Sequence, residues 1–195
     1  MKNRILNALA LSLIVLVGSF VSTANATVII IDNDDQLVDV VGSWSSSSYS
    51  GFGFEGSDYL YGGNDSGFNH LLGPHFVKYN IGQHVAFFDG SWLVEMNWKE
   101  HSNRASNAPV EVFNADGILD FQIVDQRVAD GGWYNIGTYE LNADSFVLID
   151  PSFWGADGYV IADAFRFTSV PEPSTLAILG LGLMGLSFRR LKKQA

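Results

Sequence analysis

The chain has 195 residues, no cysteine and a formal charge of −10 at pH 7. The absence of cysteine excludes disulfides, thiol nucleophiles and cysteine-ligated zinc, so stability must come from a packed core or from bound ions. Between residues 27 and 169 five basic side chains stand against twenty acidic ones, a balance of −15, which argues against nucleic acid as a partner because phosphate contacts need clustered Lys and Arg.

Lys2 and Arg4 precede an apolar stretch over 5–21, and Ala24-Asn25-Ala26 supplies a small-residue cleavage site. This predicts a signal-peptide helix over 1–26, removed after Ala26, in preference to an uncleaved anchor. The remainder, 27–169, suffices for one domain with a sizeable core. Strict alternation over 91–99 puts Trp92, Val94, Met96 and Trp98 on one face and Glu95, Asn97 and Lys99 on the other, predicting a strand with both tryptophans in the core. Shorter β-rich runs predict strands at 28–31, 38–41, 57–61, 85–88, 110–113, 119–124, 133–141, 146–149 and 159–167. Turn signals such as Asp89-Gly90 and Asn114-Ala115-Asp116-Gly117 separate them. The polar segments 45–48 and 62–67 read as loops, and no stretch between the two ends holds a helical apolar period. The expected fold is all-β: a single β-sandwich or jelly roll.

The C-terminal segment 170–195 has three parts. Val170, Pro171, Glu172 and Pro173 are followed by an apolar run over 176–188 and then by Arg189, Arg190, Lys192 and Lys193. The prolines hold the first part extended. The apolar run predicts a short hydrophobic helix of about 20 Å, against a hydrocarbon core of about 30 Å, and the basic cluster would keep the far end in the cytoplasm. In order, spacing and letters this resembles the PEP-CTERM sorting signal, against the plainer reading of an ordinary tail anchor. The resemblance implies processing by an exosortase-type membrane enzyme, passage through the inner membrane, and delivery to the outer surface or an extracellular matrix in bacteria that make exopolysaccharide.

A second resemblance spans 27–167. Ile31-Asp32-Asn33-Asp34-Asp35, Gly42-Ser43-Trp44 and Gly56-Ser57-Asp58-Tyr59 come first; Asn103-Arg104-Ala105-Ser106-Asn107-Ala108-Pro109-Val110, Gly132-Trp133 and Gly158-Tyr159-Val160-Ile161-Ala162-Asp163-Ala164-Phe165-Arg166-Phe167 follow. Together they are similar to the golvesin C-terminal-like domain, also found as an accessory module of secreted xanthan lyases. The resemblance implies a β-sandwich of carbohydrate-binding type with a noncatalytic attachment role. The segment 62–84, with three of the four histidines, is longer than the family pattern.

Candidate ligand contacts are Trp44, Tyr59, Arg104, Asn107 and Trp133, because sugar rings stack on aromatic faces while their hydroxyls bond to Asn, Asp and Arg. Tyr49, Tyr61, Tyr134 and Trp154 are further loop aromatics. Packing beneath a loop competes with sugar contact at each, and a structural ion pair competes with an anionic-sugar clamp at Arg104. Asp32, Asp34 and Asp35 crowd oxygens onto one strand end, a candidate structural calcium site with an acidic turn as its alternative. Asp32 could also meet Asp163 or Arg166. His70, His75, His84 and His101 fit no zinc spacing and read as solvated loop residues. No nucleophile elbow is present, and twenty carboxylates single out no catalytic pair, so no enzyme is expected. The sequence thus predicts an exported carbohydrate-binding or matrix protein. A purely structural exopolysaccharide matrix protein is the alternative, and a polysaccharide-acting enzyme comes last.

Overall fold

In a computed structural model the described residues are 25–48, 54–63, 74–128, 132–151 and 155–171. The two expected terminal helices, the cleavage-site Ala24, Glu172, Pro173, the basic tail, Tyr49, His70 and Trp154 lie outside them. Among the described residues no helix is long and apolar enough to cross a membrane.

The strands are β1 (Val28–Ile31), β2 (Val38–Val41), β3 (Ser45–Ser47), β4 (Tyr59–Gly62), β5 (Phe76–Tyr79) and β6 (Gly90–Asn97), then β7 (Ala108–Asn114), β8 (Gly117–Val124), β9 (Tyr134–Leu141), β10 (Phe146–Ile149), β11 (Val160–Ala162) and β12 (Ala164–Ser169). They form three antiparallel sheets, ordered β1-β12-β6-β9, β2-β5-β10-β7-β8 and β11-β4-β3. The all-β expectation holds, and the arrangement is a β-sandwich.

Alternation explains the packing. Ile29 and Ile31 of β1 turn inward while Val28 and Ile30 face out. Trp92, Val94 and Met96 of β6 are fully buried beside Phe165 and Phe167 of β12, and Trp98 is nearly so. They join Val77, Tyr79, Val110, Val112, Val147 and Ile149 from the second sheet in one core. That core is the layer expected between two facing sheets.

Three local expectations are corrected and one unpredicted strand is added. Residues 85–88 form a turn rather than a strand, with Val85 96% exposed. The apolar run there finds no ladder partner, because a 3₁₀ turn at Ile81–Gln83 redirects the chain just before it. Ser45–Ser47 is not loop but β3: it contributes no hydrophobic signal and is held by its ladder to β4, with Ser45 opposite Tyr61 and Ser47 opposite Tyr59. Phe76–Tyr79, inside the long histidine-bearing segment, is the strand β5 between β2 and β10. The run 159–167 is two strands broken at Asp163, where the chain passes from the three-stranded to the four-stranded sheet.

The outer edge of β11 is covered rather than left open. The Ala105 amide donates to the Tyr159 carbonyl at 2.8 Å, and the Tyr159 amide donates to the Asn103 carbonyl at 3.0 Å. Arg104 and Tyr159 therefore form an isolated parallel bridge. One step on, the fully buried Gln126 side chain takes over. Its Nε2 donates to the Ile161 carbonyl and its Oε1 accepts from the Ile161 amide, both at 2.8 Å. An exposed strand edge is a template for unwanted pairing, and these contacts remove it.

Candidate functional site

The edge cover also builds a cleft. On β4, Tyr59 and Tyr61 share a face because side chains two apart on a strand point the same way; their cross-strand partners put Ser47 and Ser45 on that face too. From the other side the 101–104 segment, pinned against Tyr159, brings His101, Asn103 and Arg104. The result is a cleft of about 370 Å³ lined by Ser47, three tyrosines, His101, Asn103 and Arg104. Tyr61 and Tyr159 meet edge to face with ring centroids 5.6 Å apart.

Arg104 is positioned by the cleft's own walls. Its Nε donates to the Lys99 carbonyl at 3.1 Å, Nη1 to Asn103 Oδ1 at 3.1 Å and Nη2 to the Tyr59 hydroxyl at 3.0 Å. The guanidinium also lies 5.4 Å from the centroid of the buried Tyr59 ring. Further N–H donors of the guanidinium remain for a ligand. Among the described residues no lining residue is acidic, although the domain as a whole carries a large excess of carboxylates. The cleft therefore offers aromatic faces, hydroxyls, an amide, an imidazole and a cation.

Of the expected ligand contacts, Tyr59 and Arg104 come together here. Trp44 does not join them. It precedes β3 on the opposite face of that sheet, stacks on His75 at 4.9 Å, and donates Nε1 to the Val41 carbonyl at 3.2 Å. Gly62 makes the stack fit, since a Cβ there would lie 3.0 Å from both rings. Asn107 ties down a neighbouring loop, donating Nδ2 to the Gly155 carbonyl and accepting from the Asp157 amide. Trp133 lies under the Arg166 guanidinium at 4.7 Å, on the four-stranded sheet.

Tyr61, His101, Asn103 and Tyr159 complete the cleft. The Tyr59-x-Tyr61 spacing was the readable signal for one of them; nothing local marks Tyr159 as the partner of Arg104. His75 departs from the expected solvated loop: it is buried, its Nδ1 accepts from the Ser43 amide at 3.0 Å, and burial lowers its pKa. The expected alternative of an Asp32–Arg166 pair is also corrected, because Arg166 makes a bidentate pair with Glu95 at 2.6 and 2.7 Å across the β12–β6 ladder.

The Asp-rich strand end takes a different shape from the one the letters suggest. Asp35 Oδ1 accepts from the Leu37 amide at 2.9 Å, closing its own turn, and Asp34 is exposed. Asp32 is half-buried beside Asp34 and Asp58, and its charge also reaches Asp163. Burial, with the Asp34 and Asp58 charges, raises Asp32 to about 6. Burial, with the charges of Asp32, Glu55 and Asp58, raises Asp163 to about 8 against one stabilising bond from the Glu55 amide. Among the described residues no three His, Asp or Glu side chains are grouped to hold an ion.

Comparison with known proteins places this architecture. A xanthan lyase from Bacillus sp. (strain GL1) is 33% identical over 146 residues, covering 73% of this chain and 15% of the relative. The solved structure of a Paenibacillus xanthan lyase matches with a TM-score of 0.60 and 30% identity, over 74% of this chain and 13% of that one. The chain thus corresponds to a small part of each lyase. The PEP-CTERM protein-sorting motif matches residues 169–192. The Golvesin C-terminal domain model matches residues 29–169, and with the folded sandwich spanning the same stretch, the chain belongs to the Golvesin C-terminal domain family.

Proposed function

We propose that this protein is an exported, noncatalytic carbohydrate-binding module, and that the cleft between β4 and the 101–104 segment is its glycan site. The carrying observation is the composition of the cleft. The half-buried rings of Tyr61 and Tyr159 offer faces for sugar C–H groups, while Arg104, Asn103, His101 and Ser47 offer hydrogen bonds to hydroxyls. Glycoside hydrolysis needs two facing carboxylates, and the lining has none among the described residues. The family's presence within xanthan lyases, enzymes named for a polysaccharide, supports a glycan as the ligand class.

Glycan binding by the full chain, measured by calorimetry against polysaccharide from the producing strain, is expected to be saturable. Tyr61→Ala and Tyr159→Ala should each weaken it about tenfold, taking about 1 to 1.5 kcal/mol per aromatic contact. Trp133→Ala should leave affinity unchanged. Equal loss from Trp133→Ala would reject the cleft as the site, and absence of saturable binding would favour a purely structural matrix role.

In the same reading residues 1–26 are removed on export, 27–169 form the module, and 170–195 are handled by an exosortase-type enzyme in the membrane before release toward the surface or matrix. Replacing Pro171-Glu172-Pro173 by Ala-Ala-Ala should hold the chain in the membrane fraction at unprocessed mass; normal processing of that variant would contradict the sorting role. Immunoblots of fractionated cells read either outcome.

A further inference from the structure

The corner where β1 ends and β11 gives way to β12 contains acceptors without donors. Asp163 is 0% exposed, and only one of its carboxylate oxygens is accounted for: Oδ2 accepts from the Glu55 amide at 3.2 Å, while Oδ1 has no hydrogen-bond partner. Its backbone cannot swing away, because the strands on both sides are in register and the Tyr79 hydroxyl donates to its carbonyl at 2.9 Å. Asn33 is 7% exposed. It donates Nδ2 to Asp58 Oδ1 at 2.9 Å, which fixes the amide's orientation and leaves its own Oδ1 without a partner. Asp32 completes the corner; Gly56, at φ +61°, passes so close beneath its carboxylate that any Cβ there would overlap Oδ2. Burial, with the charges of Asp163 and Asp32, raises the pKa of the Tyr79 hydroxyl.

Buried acceptors without donors are costly, and a buried carboxylate without a counter-charge more so. The charges acting on Asp163 are all acidic, those of Asp32, Glu55 and Asp58, and Arg166 is committed to Glu95.

We propose that this corner binds a divalent oxygen-seeking cation of the Ca²⁺ class, with Asp163 Oδ1 and Asn33 Oδ1 as its anchoring ligands and Asp32 or Asp58 beside them. The donor set is mixed rather than all-carboxylate, in keeping with the lack of any group of three acidic or histidine ligands among the described residues. Ca²⁺ accepts about six to eight oxygens from carboxylates, amide and backbone carbonyls and water, so such a set suits it, whereas zinc prefers nitrogen and sulfur. The ion would join the end of β1 to the β11–β12 crossing and to the 55–58 segment, stabilising a chain without disulfides. This site is separate from the glycan cleft and does not depend on that reading.

The test is thermal unfolding of the full chain in detergent, with EDTA or with CaCl₂, alongside calorimetric titration with Ca²⁺. At about a hundred times the Kd, Ca²⁺ should raise the wild-type Tm by roughly 5 to 10 °C, with one ion bound per chain. Asp163→Asn should gain little from Ca²⁺, since it removes the anchoring carboxylate. Asn33→Asp provides the second arm: it adds a charged ligand, so it should melt below the wild type in EDTA and bind Ca²⁺ at least about tenfold more tightly. A wild-type Tm indifferent to millimolar Ca²⁺ overturns the proposal. So does an Asp163→Asn variant that gains as much as the wild type, or an Asn33→Asp variant that binds no more tightly; should Asp163→Asn fail to fold, the Asn33→Asp arm alone decides.

Discussion

Gln126→Met is expected to lower the unfolding free energy by about 3 to 5 kcal/mol, a large share of the roughly 5 to 15 kcal/mol typical of a domain. Methionine nearly conserves the volume of glutamine, so the loss isolates the hydrogen bonds rather than a cavity. The Gln126 amide acts as a surrogate strand, exchanging both backbone bonds with Ile161 on the edge of β11. Its own main chain is equally engaged: the amide donates to the Ala105 carbonyl at 2.9 Å, and the carbonyl accepts from Trp98 Nε1 at 3.1 Å. Removing the side-chain amide leaves the buried Ile161 N–H and C=O with no partner and no water, each costing about 1 to 3 kcal/mol. Urea unfolding should show a lower midpoint with an unchanged m-value. A loss below about 1 kcal/mol would mean that the β11 edge re-pairs without Gln126.

Gly158→Ala should have the next largest effect, about 2 to 3 kcal/mol, and should dismantle the cleft wall as well. The cause is crowding by backbone, not a special torsion: an added Cβ would lie 2.5 Å from the Arg104 carbonyl oxygen and 2.8 Å from the Ala105 nitrogen. No rotamer relieves such a contact, so the 103–105 segment must move away from Tyr159 and the two bonds of the parallel bridge must lengthen or break. Hydrogen exchange is the direct readout, with the Ala105 and Tyr159 amides losing protection before those of β6 and β12. Any glycan affinity should fall with them, since Arg104 and Tyr159 would no longer face one ligand. Retained protection at both amides would show that the segment absorbs the methyl group and is looser than its bonding suggests.

Much of the architecture was readable because strand formation here follows local alternation. β1, β6 and β10 appear at the positions that their apolar residues predict, and Trp92 and Trp98 are buried as their shared face required. The misreadings arise where pairing rather than pattern makes a strand. β3 is a run of serines that exists because Tyr59 and Tyr61 lie opposite it, while 85–88 is apolar but unpaired. The same distinction governs the site residues. Trp44 and Trp133, conspicuous beside glycine, are absorbed by His75 and Arg166, whereas Tyr159, inconspicuous in a strand-like run, forms a cleft wall.

By itself the sequence determined the all-β class, the acidic body without cysteine and the sorting motif behind it. These rest on composition and short-range order, which neighbouring residues carry without a folded structure. Only the tertiary structure decided that Arg104 meets Tyr59 and Tyr159 in one cleft and that Asn33 meets Asp58 near the buried Asp163. Both are assembled by strand pairing and edge capping between segments far apart in the chain, and which distant segments pair is set by the packing of the whole sandwich rather than by any local pattern of letters.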